Sequence, residues 1–102
     1  MATLEQITDR FRTAVGTDSG LGVTIKFDLK GEGFIWLGTD SVSNDDNPAD
    51  LTMTVSKDDL EALGAGSLDP TSAVMTGRLK LSDMGMALQV QPKLQGLFAK
   101  VR

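Results

Sequence analysis

The side chains with the clearest potential for chemistry are four carboxylates in one polar stretch, those of Asp40, Asp45, Asp46 and Asp50. Paired carboxylates can act as acid and base or can bind calcium. Their spacing does not follow the D-x-[DN]-x-[DN]-G pattern of a calcium loop, and no glycine stands at the turn position. We therefore interpret the stretch as a solvated acidic loop and predict no metal site there.

Several other reactive side chains are missing from the chain. The 102 residues contain no histidine, cysteine or tyrosine. Their absence excludes disulfides, Cys/His zinc clusters, thiol or imidazole nucleophiles and Ser-His-Asp triads. What remains is carboxylate, lysine or hydroxyl chemistry, or no chemistry.

Length, composition and charge narrow the class of protein. A chain of 102 residues, 40% apolar and 24% charged, predicts one globular domain over residues 1–102. Ten basic residues against fourteen acidic ones give a formal net charge of −4 without a basic cluster, so we expect no nucleic-acid partner. The opening MATLEQ resembles no signal peptide and no apolar run is long enough to span a bilayer, so we expect a cytoplasmic protein.

The pattern of the first half of the chain predicts a helix followed by strands. Thr3 is a typical N-cap, and from Val23 the apolar residues alternate with polar ones at period two. The segment 34–37 is apolar on both faces, which predicts a strand in the middle of a sheet covered on both sides. The predicted elements are a helix over residues 4–15 and strands over 23–30, 34–37 and 39–42.

The second half alternates strands and helices. Ser56 and Asp69 are predicted N-caps, and Pro70 then takes the first position of its helix. The predicted elements are strands over residues 51–55 and 78–81, a helix that follows the Ser56 cap and ends before Gly64, and a short helix from Pro70 to Met75. Pro92 is expected to break the last helical segment or to begin a new helix.

The last segment is unusually apolar. No charged residue stands between Asp83 and Lys93, although a helix that covers a sheet normally has a charged outer face. Met75, Met84 and Met86 add flexible, polarizable side chains that suit ligands of varied shape. Each apolar residue here is individually typical of a core, but together they can wall a cavity.

Four segments carry a resemblance to a known family. They are ADLTMTV at 49–55, DLEALGAG at 59–66, DPTSAVMTGRLKL at 69–81 and MGMAL at 84–88. Their order resembles the sterol carrier protein family, in which an Asp-x-Thr strand leads to a helix, an Asn/Asp-Pro helix start and a Gly-Lys/Arg-Leu-Lys-Ile/Leu strand. The closing MGMAL is similar to that family's Met-Gly-Leu-Ala-Met.

The resemblance implies an α/β (α+β) fold. It comprises a five-stranded, mixed and largely antiparallel sheet with helices on one face, which enclose a hydrophobic tunnel. It also implies a carrier of fatty acids, fatty acyl-CoA, phospholipids or sterol-like and isoprenoid lipids, with no catalytic residue and no cofactor. We expect a monomer that makes transient contact with a membrane or an enzyme.

Candidate cavity residues follow from the resemblance together with the apolar pattern. We predict a wall formed by Phe34, Trp36, Leu60, Leu63, Met75, Leu79, Leu81, Met84, Met86, Leu88, Leu97 and Phe98. Alternation along 34–37 does not decide whether Phe34 and Trp36 or Ile35 and Leu37 face the cavity. Two rival functions remain open: an accessory module that presents an isoprenoid or quinone lipid to a partner enzyme, and a carboxylate-based metal-binding protein or enzyme.

Overall fold

The chain forms a mixed sheet and several helices in the computed structural model, which describes residues 3–16 and 20–101. In chain order the elements are α1 (Leu4–Val15), β1 (Ile25–Asp28), β2 (Phe34–Leu37), β3 (Val42–Ser43), β4 (Leu51–Val55), α2 (Lys57–Ala65), α3 (Pro70–Met75), β5 (Leu79–Leu81) and α4 (Met84–Val101). Within these described ranges, no helix has the length and hydropathy needed to cross a bilayer.

The strands form one sheet in the order β3-β2-β1-β4-β5. β1 is the central strand; Ile25 pairs with Leu37 of antiparallel β2 on one side and with Leu51 of parallel β4 on the other. The β2–β3 and β4–β5 pairs are antiparallel. The expected five-stranded, mixed and largely antiparallel sheet is therefore confirmed.

The two faces of the sheet differ in polarity. Phe27 and Met53 are buried on one face, whereas Lys26 and Thr52 lie on the other and are only partly buried. Buried side chains of α1, α2 and α4 join the apolar face in one core. Phe98 of α4 lies with its ring centroid 6.4 Å from that of Phe27. The helices thus cover one face of the sheet, as expected.

Three of the helices begin at the predicted caps. The hydroxyl of Thr3 accepts a hydrogen bond from the Gln6 backbone N–H at 3.2 Å. Ser56 and Asp69 accept in the same way from the residues three positions further on, at 3.1 and 3.0 Å. Each cap satisfies one N–H that the first turn of a helix leaves without an internal partner.

Two predicted strands are shorter than expected. β1 lacks the ends of 23–30, because Thr24 is held by the Asp50 side chain and Leu29 already accepts a turn hydrogen bond from the Glu32 N–H. The predicted strand at 39–42 begins only at Val42, because the Gly38 N–H donates to the Ser41 carbonyl and closes a turn there.

The prediction that β2 lies in the middle of a sheet covered on both sides is wrong. β2 is second from the edge, and its two faces differ: Ile35 is buried against the helices, while Phe34 and Trp36 are half-buried on the other face. Trp36 Nε1 donates to the Pro48 carbonyl at 3.0 Å, and the Lys26 ammonium lies 5.6 Å from the Phe34 ring centroid. A loop and a lysine side chain cover this face in place of a second layer.

The prediction of a break at Pro92 is also wrong. α4 runs from Met84 to Val101 with Pro92 inside it. Proline removes the N–H that would bond the Leu88 carbonyl, and its ring crowds that carbonyl. The helix nevertheless continues, because apolar residues on both sides of the proline, Val90 and Leu94, are buried in the core.

Candidate functional site

An apolar cavity of about 260 Å³ lies between the β4–β5 end of the sheet and helices α3 and α4. Its wall consists of Leu51, Met53, Leu63, Pro70, Thr71, Val74, Met75, Leu79, Leu81, Met84, Ala87, Leu88, Val90, Gln91, Leu94, Gln95 and Phe98. The two strands form its floor through alternate residues, because side chains at positions i and i+2 of a strand share a face.

The wall contains little that can react. The polar side chains on it are those of Thr71, Gln91 and Gln95, and none of its residues is charged. Hydroxyl and amide groups can donate or accept hydrogen bonds to a neutral polar group, but they do not transfer protons readily near neutral pH. The cavity is therefore suited to holding an apolar molecule.

Helix α4 supplies about half of the wall through one face. Its contributing positions are 84, 87, 88, 90, 91, 94, 95 and 98. Apart from 90, they follow the i, i+3, i+4, i+7 spacing of a single helical stripe, which runs past Pro92 without interruption. The stripe exists only because the helix does not break at the proline.

Three large apolar side chains of the wall are exposed to solvent. The exposed fraction is 82% for Met75, 50% for Met84 and 63% for Leu88. They belong to the end of α3 and the first turns of α4, where the two helices flank the edge strand β5. We call these three side chains the rim; they place the mouth of the cavity at this edge of the sheet.

The structure brings together seven of the twelve predicted cavity residues. These are Leu63, Met75, Leu79, Leu81, Met84, Leu88 and Phe98. Phe34 and Trp36 lie on the opposite face of the sheet, so Ile35 and Leu37 are the inward pair of β2. Met86 and Leu97 pack into the core, away from the cavity wall.

Leu60 lies in a second cleft, of about 490 Å³, between α1 and α2. Arg10 and Glu61 also line this cleft, and Phe98 is common to both spaces. Although the second cleft has the larger volume, its wall includes two charged residues, whereas the first has none. The first cavity is therefore the better site for an apolar ligand.

The wall residues that were not predicted had a signal in the sequence. Leu51 and Met53 alternate in β4 as Leu79 and Leu81 do in β5, and the two pairs face the same space. The other missed residues, among them Ala87 and the two glutamines, belong to α4 or to α3. A continuous helix through Pro92 would have identified the α4 residues by their spacing.

The acidic stretch does not assemble a site. Asp46 pairs with Lys26, Asp50 accepts hydrogen bonds from the backbone N–H and the hydroxyl of Thr24, and Asp45 is bonded to Ser43. Within residues 3–16 and 20–101, no group of three potential metal ligands is close enough to hold an ion. These carboxylates secure the ends of strands and the adjoining loop.

The sequence profile of the SCP-2 sterol transfer family matches residues 2–95 of this chain. Sterol carrier protein 2 of Oryctolagus cuniculus is 43% identical over 49 residues, and that of Gallus gallus is 45% identical over 49 residues. Each match covers 47% of this chain and 9% of the relative, so the matched part is a small fraction of these curated relatives.

Solved structures share the fold. Sterol carrier protein 2 of Yarrowia lipolytica, in its apo form, has a TM-score of 0.64 at 19% identity, over 95% of this chain and 77% of that one. Sterol carrier protein 2 like 2 of Aedes aegypti has a TM-score of 0.67 at 19% identity, over 90% and 93%. UbiJ-SCP2, a ubiquinone synthesis protein, has a TM-score of 0.57 at 17% identity, over 90% and 77%.

Proposed function

The chain belongs to the SCP-2 sterol transfer family, and from that premise we propose that its cavity binds the hydrocarbon part of a long-chain lipid for non-catalytic transfer. The observation that carries the proposal is the uncharged, almost wholly apolar wall between the sheet and helices α3 and α4. We propose in addition that residues 1–102 act as a single lipid-binding domain. Fatty acids, fatty acyl-CoA, phospholipids and sterol-like or isoprenoid lipids are the candidate ligands.

Burial of the hydrocarbon chain of a lipid releases enough free energy for binding, and it requires no catalytic group. Each buried methylene contributes about 0.8 kcal/mol, so a segment of about ten methylenes contributes roughly 8 kcal/mol before the costs of association. The volume of about 260 Å³ falls just below the usual range for small-molecule sites. A long-chain lipid would therefore extend through the mouth, with its end outside the cavity.

The few polar side chains on the wall limit which lipid head groups can enter the cavity. Gln91 and Gln95 are one turn apart on α4, and Thr71 of α3 lines the same cavity. A charged head group inside the cavity would lose its hydration without gaining an ionic partner. We propose that charged head groups stay at the mouth and that the amides bind a neutral hydroxyl or carbonyl oxygen.

A second candidate function is presentation of an isoprenoid or quinone lipid to a biosynthetic enzyme. The similarity in fold to the ubiquinone synthesis protein UbiJ-SCP2 is the observation that favours it. Both functions use the same cavity and differ in the acceptor of the lipid. Co-purification of a biosynthetic enzyme with the tagged protein would support presentation, whereas exchange of lipid between vesicles with the protein alone would support free transfer.

The test is binding of an environment-sensitive fatty-acid probe, with competition by unlabelled long-chain lipid. Ala87 is half-buried on the wall, so Ala87→Phe places a ring in the cavity. The ring displaces about two methylenes of the bound acyl chain from the cavity, and this loss should weaken binding at least about tenfold. Probe emission that does not rise with the folded wild-type protein, or that lipid does not reverse, would contradict the proposal.

A matched control uses the same helix. Ala99 is exposed and lines neither cavity, so Ala99→Phe should leave the affinity for the probe unchanged. If both variants lose affinity for the probe to the same extent, the added ring disturbs α4 itself. If both variants keep the wild-type affinity, the probe binds outside this cavity.

A further inference from the structure

The sulfur atoms of the chain are concentrated on the wall of the cavity. The five methionines carry all of its sulfur, because the chain has no cysteine. The structure describes four of these methionines, and three of the four, Met53, Met75 and Met84, line the cavity. The fourth, Met86, packs half-buried against the core and is not part of the wall. The cavity therefore holds most of the thioether groups of this protein.

The three thioethers of the wall lie at two depths. Met53 belongs to the floor that the sheet provides and is 5% exposed, whereas Met75 and Met84 belong to the rim at the mouth. An extended lipid chain that enters through the mouth passes the two rim side chains before it reaches the floor. Different carbon positions along a bound chain can therefore meet a sulfur atom.

A thioether is the group on this wall that a peroxide oxidises. Peroxides convert methionine to its sulfoxide. The rest of the wall consists of aliphatic side chains, one phenylalanine, one threonine and two glutamines, none of which reacts readily with a peroxide. The indole of Trp36, which is also oxidisable, lies on the opposite face of the sheet. Any peroxide that reacts with the cavity wall therefore reacts with methionine.

The candidate ligands include molecules that carry such a peroxide. Unsaturated acyl and isoprenoid chains form hydroperoxides next to their double bonds when they react with oxygen. We propose that Met53, Met75 and Met84 reduce a hydroperoxide group on the bound lipid to the alcohol. The proposal rests on the proposed lipid-binding function and adds a reaction in the same cavity. Each methionine reacts once, so the reaction is stoichiometric and the protein remains a carrier.

The reaction is a two-electron transfer from sulfur to the peroxide. A lone pair of the sulfur attacks the terminal oxygen of the hydroperoxide, so that a sulfur–oxygen bond forms as the oxygen–oxygen bond breaks. The proton of the hydroperoxide passes to the oxygen that stays on the lipid, which becomes the alcohol. The sulfur is oxidised to the sulfoxide. The two reactants balance without a further oxidant, reductant or cofactor.

The cavity favours this reaction in two ways. It holds the lipid chain beside the sulfur atoms, which turns an encounter between two dilute molecules into a reaction within one complex. Its wall also offers Thr71, Gln91 and Gln95, which can donate hydrogen bonds to a neutral polar group. A hydroperoxide is a neutral polar group, so these hydrogen bonds offset the cost of burying it. The same donors can stabilise the oxygen that leaves with the lipid.

The experiment incubates the protein with linoleic acid hydroperoxide. Chromatography measures the hydroxy acid, peptide mass spectrometry measures the sulfoxides, and we expect equal amounts of the two. The wall methionines should be oxidised about tenfold faster than Met86, because only they share the cavity with the hydroperoxide. tert-Butyl hydroperoxide, which has no long chain, should instead oxidise the methionines in the order of their exposure, with Met53 the slowest of the four described.

Two matched variants assign the reaction to the wall. The wall variant, Met53→Leu/Met75→Leu/Met84→Leu, replaces each thioether by a side chain of similar volume, a change that a core usually tolerates. At hydroperoxide concentrations that saturate each protein, it should form hydroxy acid at least about tenfold more slowly than the wild-type protein. Met86→Leu makes the same chemical change outside the wall and should form hydroxy acid at the wild-type rate.

Displacement of the fatty-acid probe by the hydroperoxide separates this proposal from the proposed function. If the hydroperoxide displaces the probe but no hydroxy acid forms, the reduction is overturned and the carrier function stands. Equal rates for the wall variant and the wild-type protein, or oxidation of Met86 as fast as that of the wall methionines, would also overturn the reduction alone. If the folded protein binds neither the probe nor the hydroperoxide, both proposals fail.

Discussion

The indole of Trp36 lies on the face of the sheet away from the cavity. Its Nε1 donates a hydrogen bond to the Pro48 carbonyl, and its ring packs so closely over Gly38 that a Cβ there would lie 2.8 Å from ring carbons. These contacts hold the loop that follows β3 against the sheet. Trp36 therefore has a structural role, although the apolar pattern predicts a cavity residue there.

At the residue scale, the prediction is that Trp36→Phe keeps its lipid affinity. Loss of the hydrogen bond to Pro48 should lower the free energy of unfolding by about 1 kcal/mol. Urea denaturation measures that change, and titration with the fatty-acid probe should give the wild-type dissociation constant. A marked fall in probe affinity at full folding would mean that this face of the sheet also binds the ligand.

The sequence could identify which residues of β2 share a face, but not which face points inward. Period two pairs Phe34 with Trp36 and Ile35 with Leu37, and both pairs are apolar. The choice depends on the register with β1, in which Ile25 pairs with Leu37, and this is a contact between residues distant in the chain. In β4 and β5 one face is plainly polar, so alternation alone indicates which side chains point inward.

At the element scale, α4 depends on tertiary packing to remain continuous. Pro92 lies in its interior, where proline costs about 3 kcal/mol relative to alanine. Local propensity predicts a break, but Leu97 and Phe98, on the far side of the proline, are almost fully buried. This packing could not be read from the sequence, and the cavity wall that depends on it was only partly predictable for the same reason.

Substitution of the proline tests this account of α4. Pro92→Ala supplies the N–H that the Leu88 carbonyl lacks and removes the clash with the proline ring, so the free energy of unfolding should rise by up to about 3 kcal/mol. Urea denaturation of the empty protein measures the change. A less stable variant would mean that the proline sets a bend in α4 on which the core packing depends.

At the scale of the whole molecule, the order of the elements was predictable and their arrangement was not. Caps and alternation identified the starts of α1, α2 and α3 and the strand at 51–55 from local residues. The parallel pairing of β1 with β4 joins segments that are 26 residues apart, as in Ile25 with Leu51, and no local pattern reports it. The resemblance to the sterol carrier protein family implied a five-stranded, mixed and largely antiparallel sheet, but it did not identify this parallel pair.

The most direct test of the account is native mass spectrometry of the protein purified gently from its own host, with lipid extraction of the bound species. We expect a complex with one lipid, identified by extraction as a long-chain molecule, which Ala87→Phe fails to retain and Ala99→Phe retains. This expectation would be contradicted by a folded protein that carries no lipid and stays empty after incubation with fatty acids, fatty acyl-CoA, phospholipids and isoprenoid lipids.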